Sequence, residues 1–189
     1  MTRTSRSPRI FGIAGWSGSG KTTLLIKLIP VLVARGLKVA TLKHAHHAFD
    51  VDLPGKDSYE HRRAGASEVI VSSSGRWVQI HENAGEREPT LAGLLARLSP
   101  CDLLLIEGFR RERYPKLELY RAEVGKPLLH PGDPHVLAVA ATGPMPDVKI
   151  PVIDLDDVAA IADFVCDHAQ PLATVLAALA GSGSEGSIH

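Results

Sequence analysis

Residues 15–22 read Gly-Trp-Ser-Gly-Ser-Gly-Lys-Thr, an instance of the pattern GxxxxGK[ST], and this stretch decides the fold. On its N-terminal side residues 10–14 are an apolar run of strand length. On its C-terminal side Leu24, Leu25, Leu28, Ile29 and Leu32 recur at helical spacing. A buried strand, a glycine turn and an amphipathic helix in that order form the phosphate-binding P-loop. Gly15, Gly18 and Gly20 let the chain turn tightly and aim its N–H groups at phosphate oxygens. Helix entry at Lys21 adds the positive end of a helix dipole. The spacing therefore assigns Gly15, Trp16, Ser17, Gly18, Ser19, Gly20, Lys21, Thr22 and Thr23 to a nucleoside triphosphate. The Lys21 ammonium would reach the β- and γ-phosphates, Thr22 would ligate Mg²⁺, and Thr23 would donate to the α-phosphate. A glycine-rich surface loop is the ordinary alternative.

Beyond the loop, Pro30 should kink the helix or end its regular part, and Gly36 is a stop. Residues 37–42 read as a second strand. A short helix near 58–64, a hairpin from 68–71 and 76–81, and a helix at 90–98 follow. Residues 103–106, 117–120, 136–141 and 152–153 are further strands. Asp154 offers an N-cap for a helix to about His168, and Pro171 can open another short helix. Strands alternating with helices predict an α/β P-loop NTPase fold, a mostly parallel sheet flanked by helices, with a β-hairpin extension. The expected organisation is a flexible leader at 1–8, a nucleotide-binding domain at 9–170, and a short helix with a disordered tail at 171–189.

Composition limits the class. The 189 residues suit one α/β domain, with 44% apolar and 22% charged residues. Lys plus Arg and Asp plus Glu number 21 each, which argues against nucleic acid or an anionic membrane as the main partner. No apolar run approaches the ~18 residues of a membrane span, and the expected location is the cytoplasm. Cys101 and Cys166, far apart and outside any CxxC pair, read as reduced thiols.

A P-loop needs a second acid to hold magnesium through water. Residues 102–108 read DLLLIEG, so Glu107 stands where an apolar strand ends and can face the nucleotide crevice. Gly108 then permits a close turn. Lys21 and Glu107 are the expected catalytic pair, and Thr22 and Glu107 the expected Mg²⁺ holders. Residues 43–66, KHAHHAFDVDLPGKDSYEHRRAGA, add Asp50, Asp52 and Asp57 as candidates for Mg²⁺ or water, and Arg62 and Arg63 for an anionic ligand. His44, His46, His47 and His61 raise a transition-metal reading, but their spacing is unlike a closed zinc site and hydrogen-bonding histidines in a polar loop are favoured. No NKxD or TKxD tetrapeptide is present. Thr142 and Gly143, after the 136–141 strand, stand where a base-recognition loop belongs without naming the base.

The runs GWSGSGKTTLLIKLIP, GLKVATLKHAHHAFDVDLPGKDSYEHRRAGA, DLLLIEGFR and PKLEL together resemble the MobB family, accessory proteins of molybdopterin-guanine dinucleotide biosynthesis, over roughly residues 9–165. Pro30 fits that family's pattern. The resemblance implies a dimeric P-loop GTP-binding protein with weak GTPase activity, which assists the MobA nucleotidyltransferase, with molybdopterin or its guanine dinucleotide as a further ligand. It implies that Gly15 to Thr23 bind phosphate and that Glu107 is the acid of the second motif. His44, Asp52, Asp57, His61 and Arg62 match a second signature, of which His44 and Arg62 are assigned to the nucleotide and Asp52 and Asp57 to the metal. Two other functions fit a P-loop: a small-molecule kinase with Arg110, Arg111 and Arg113 as a lid, and a metallochaperone GTPase using the histidines.

Overall fold

The computed structural model describes residues 7–45 and 49–182. His46 and His47, most of the expected leader and all but the start of the expected disordered tail lie outside the described residues. The chain divides into two compact units, the first comprising the residues up to 44 and from 94 on, the second residues 45–93.

The first unit is built on a sheet of seven strands. Strand β1 (Arg9–Ala14) leads into the glycine turn and helix α1 (Lys21–Ala34), which is followed by β2 (Val39–Lys43). After the second unit come β5 (Leu103–Glu107), β6 (Lys116–Tyr120), β7 (Val136–Ala141) and β8 (Val152–Asp154). Helix α4 (Val158–His168), β9 (Gln170–Pro171) and α5 (Leu172–Ser182) close the chain. The strand order is β2-β5-β1-β6-β7-β8, all parallel, with β9 antiparallel to β1. β6 pairs only with the C-terminal half of β1, from Gly12 to Ala14, and β9 supplies partners to Arg9 and Ile10, the half that β6 leaves open. The chain leaves β1 toward β2 on one side and later reaches β6 on the other. The P-loop therefore sits at a switch point, where open α/β sheets bind ligands.

Alternation explains the core. Phe11, Ile13, Leu103, Leu105, Leu117 and Leu119 face one side and pack with Leu24, Leu28 and Leu32 of α1 and Ile161 and Val165 of α4. Ile10, Leu104 and Ile106, on the opposite side, are also buried. A sheet covered on both faces is why β5 is apolar at every position before Glu107. Helix α5 buries Val175 and reaches Pro8 through the Leu172 N–H.

Three local expectations need correction. Helix α1 continues past Pro30 to Ala34, so Pro30, which is exposed, does not end it. The N-cap of α4 is Asp157, whose carboxylate accepts from the Ala160 N–H at 2.9 Å; Asp154 instead ends β8. The helix expected at 90–98 is shorter, spanning Leu91–Leu95 (α3).

The second unit holds α2 (Asp57–Arg63) and the antiparallel hairpin β3 (Glu68–Ser72) and β4 (Trp77–His81). Val69 is buried, while Ile70, Val71, Trp77 and Val78 are exposed. Among the described residues no helix is long and apolar enough to cross a membrane.

Candidate functional site

The P-loop closes on itself before any ligand is considered. Gly15 has φ 140°, and a Cβ there would stand 2.7 Å from the Leu119 carbonyl oxygen, so only glycine fits where β1 passes β6. The Lys21 ammonium donates to the carbonyls of Gly15 and Trp16, each at 2.9 Å, which holds the positive charge inside the loop's curve. Burial pushes the Lys21 pKa below the ordinary lysine range, and Lys43 and Arg110 add to this while Glu107 opposes it. An anion entering the loop would restore the charged form. Ser19 is buried, and its hydroxyl has no partner among the described residues. Ser17 and Thr23 are exposed on the loop and on the first turn of α1.

Glu107 ends β5, the neighbour of β1, and its side chain is only 11% exposed. Its two carboxylate oxygens each lie 3.4 Å from Thr22 Oγ1, longer than an ordinary O–H···O bond. Lys43, at the end of β2, places Nζ 3.6 Å from Glu107 Oε1. A hydroxyl and a carboxylate facing one another across a gap are the donor set of a hard divalent cation that keeps several waters. Thr22 and Glu107 therefore fit Mg²⁺.

The turn after Glu107 is tightly specified. Gly108 has φ 104°, and a Cβ there would meet His44 Cβ at 2.5 Å. The His44 N–H donates to the Glu107 carbonyl at 2.8 Å, and its ring stacks on Phe109 with centroids 4.5 Å apart. Phe109 itself adopts φ 47°, a strained conformation for a bulky residue. The buried Tyr114 hydroxyl holds this turn by donating to the carbonyls of Gly108, at 2.6 Å, and Phe109, at 3.2 Å. His44 thus supports the Glu107 turn.

Sequence reasoning missed Arg121 and Glu118, and the contacts through which Trp16, already assigned to the loop, is held. Arg121 follows β6 and donates Nε to the Ser19 carbonyl at 3.1 Å. Trp16 donates Nε1 to the Pro127 carbonyl at 2.7 Å, with the Arg110 guanidinium 4.9 Å and the Lys126 ammonium 5.9 Å from its rings. Glu118, fully buried, accepts from the N–H groups of Leu129 and His130 at 2.7 and 2.9 Å and so ties down the loop that carries Pro127. The apolar strand ends were legible. That the strand carrying Glu118, with Arg121 just after it, lies beside β1 was not, because it depends on the sheet order.

At the far side of the same sheet edge, a cavity of about 420 Å³ opens past the ends of β7 and β8, lined by Ala141, Gly143, Pro144, Met145, Pro146, Val152 and Asp154.

In the second unit Arg62 is enclosed by acids. It donates to Asp50 at 2.9 Å, to Glu82 at 2.6 Å, and in a short bidentate contact to Asp52. These bonds raise the Arg62 pKa, and the Arg62 hydrogen bond holds the Asp52 carboxyl below the usual carboxylate range. Asp52 and Arg62 thus satisfy one another. Asp57 stands in the first turn of α2, and His61, Arg62 and Arg63 in its last, each matching the helix dipole. Among the described residues no group of three or more His, Cys, Asp or Glu side chains is arranged to hold a metal ion.

The family model "MobB: Molybdopterin guanine dinucleotide synthesis protein B" matches residues 10–142, from β1 through β7. The chain belongs to the MobB family. It is 46% identical over 164 residues to the molybdopterin-guanine dinucleotide biosynthesis adapter protein of Escherichia coli K12, covering 85% of this chain and 93% of that one. The corresponding adapter protein of Haemophilus influenzae is 43% identical, over 82% of this chain and 86% of its own. The crystal structure of Bacillus subtilis MobB superimposes with a TM-score of 0.66 at 25% identity, covering 86% of this chain and 98% of that one. The expected family and the mostly parallel, helix-flanked sheet are both borne out.

Proposed function

We propose that this MobB-family protein is a GTP-binding adapter in molybdopterin-guanine dinucleotide biosynthesis, with weak Mg²⁺-dependent GTPase activity, that assists a MobA-type nucleotidyltransferase. The adapter role rests on family membership and on the names of its relatives. The nucleotide reading rests on one observation: the Lys21 ammonium, the Thr22 hydroxyl and the Glu107 carboxylate converge at the ends of adjacent parallel strands.

Hydrolysis in such a site is a matter of position and charge. The loop amides and Lys21 would stabilise charge on the γ-phosphoryl group as water attacks in line; Thr22 and Glu107 would hold Mg²⁺, which when bound would supply further positive charge to the phosphates. Arg121 donates to the loop's backbone, and Arg110 stacks on Trp16, so both are committed to shaping the loop. Slow turnover by the isolated protein follows. The exposed Ile70, Val71, Trp77 and Val78 on the hairpin support a homodimer, since a two-stranded sheet with an uncovered apolar surface gains by pairing.

Reconstitution tests the role. Purified MobA-type enzyme, molybdopterin and Mg·GTP are mixed with and without this protein, and guanine dinucleotide formation is followed. The adapter reading expects faster formation with the wild type and none of that gain with Lys21→Ala. An unchanged rate on adding the wild type contradicts it.

A further inference from the structure

The P-loop accounts for phosphates and says nothing of the base. We infer that the cavity beyond β7 and β8 holds the purine base of the nucleotide bound at the P-loop, and that Asp154 selects guanine. This rests on the nucleotide reading above.

β6 lies beside β1, then β7, then β8. With neighbouring strands about 4.8 Å apart, β7 lies roughly 10 Å and β8 roughly 14 Å from the strand that feeds the P-loop. A nucleotide whose phosphates occupy that loop spans this interval with its sugar. All six parallel strands point the same way, so the cavity and the P-loop open at the same edge of the sheet. On the other side of β1 the equivalent edge is taken by Glu107 and Lys43, groups suited to the metal and phosphates.

Gly143, Pro144, Met145, Pro146 and Val152 offer apolar surface for the faces of a flat ring, and one carboxylate stands among them. Ala141 and Asp154 are register partners, fixed by the bond from the Leu155 N–H to the Ala141 carbonyl at 3.0 Å. Asp154 Oδ1 accepts from the Asp156 N–H at 3.0 Å, which orients the carboxylate, and Oδ2 has no partner among the described residues. Guanine presents N1–H and the 2-amino group side by side, two donors that match the two oxygens of a carboxylate. Adenine presents an unprotonated N1 there, which a carboxylate repels. The α4 cap at Asp157 leaves Asp154 without a helix-capping duty.

The test exchanges the pattern of donors. Asp154→Asn keeps the oxygen that accepts from Asp156 and replaces the other with an amide donor. Xanthine carries a carbonyl where guanine carries the 2-amino group, so it complements asparagine as guanine complements aspartate. Competition against a fluorescent triphosphate, with Mg²⁺, is measured for GTP, ITP, ATP and XTP. The inference expects the wild type to prefer GTP to ITP and ATP, and expects Asp154→Asn to weaken GTP and to strengthen XTP by about tenfold or more each. Gain of XTP binding also reports a folded variant. Unchanged preferences in Asp154→Asn, with triphosphate still lost in Lys21→Ala, overturn the base site and leave the P-loop reading standing. A wild type that binds none of the four overturns both.

Discussion

Thr22 Oγ1 lies equidistant, at 3.4 Å, from the two carboxylate oxygens of Glu107, although 84 residues separate them in the chain. The distance is too long for a good hydrogen bond, so neither group satisfies the other. The pair fits a cation with its waters, and Glu107→Gln should therefore act through the metal. Replacing a group that orients a metal's waters typically lowers metal affinity by about 10–100-fold. The expected result is a Mg²⁺ requirement for GTP binding shifted upward by about that factor, with circular dichroism and melting temperature close to the wild type. Titration of Mg²⁺ at fixed GTP measures it.

If the loop binds triphosphate as proposed, Lys21 sets an alkaline limit to its affinity. Burial lowers its folded pKa, so it loses its proton at a pH where an exposed lysine keeps it. Only the charged form attracts phosphate. Affinity for GTP should be flat near neutrality and fall as pH rises through that lowered pKa, before the ordinary lysine range is reached. The same shift makes folding more favourable as pH rises across the interval between the lowered and ordinary values, because the unfolded state there holds more protons. Affinity and chemical stability measured against pH should thus move in opposite directions on the alkaline side. In Lys21→Arg the part of the alkaline fall that belongs to the lysine should vanish.

The second unit should be sensitive to acid. Arg62 holds Asp52 below the usual carboxylate range, so this contribution is fully present above the unfolded-state pKa of an aspartate. It is lost as pH falls through the depressed value. Arg62→Ala should abolish that acid dependence and leave Asp50, Asp52 and Glu82 without their common partner. Hydrogen exchange of residues 57–82 measures it: reduced protection is expected for the variant at neutral pH and for the wild type at acid pH.

The hairpin supports the dimer reading through exposed apolar side chains. Trp77 is 61% exposed and Ile70 62%. Trp77→Glu should raise the dimer dissociation constant by tenfold or more, read by light scattering across a dilution series, with the monomer still folded. An unchanged dimer would move the interface elsewhere.

How much was legible follows from how local each constraint is. The P-loop needs eight consecutive residues, and the Glu107 position needs one apolar strand and its end, so both stood in the sequence. The hairpin was equally readable from its turn-rich residues 72–75. Arg121, Glu118 and the Trp16 contacts required knowing that β6 lies next to β1 and where the 121–132 segment runs. Asp154 and Asp157 were separated by the same difficulty. Each precedes apolar residues at a spacing that suits a cap, and only the path of the chain showed that the helix begins after the second. Arg62 read as an anion binder because its partners, Asp52 and Glu82, are brought to it by folding.

The proposed function requires the 15–22 loop and Lys21 to grip triphosphate, and calorimetric titration of Mg·GTP into the full chain, beside Lys21→Ala, measures that grip. A charge-assisted contact is worth about 1.5–3 kcal/mol, so the variant should bind about 10–100-fold more weakly, while the wild type shows one saturable site per chain. Equal affinity of the two proteins for GTP would contradict it.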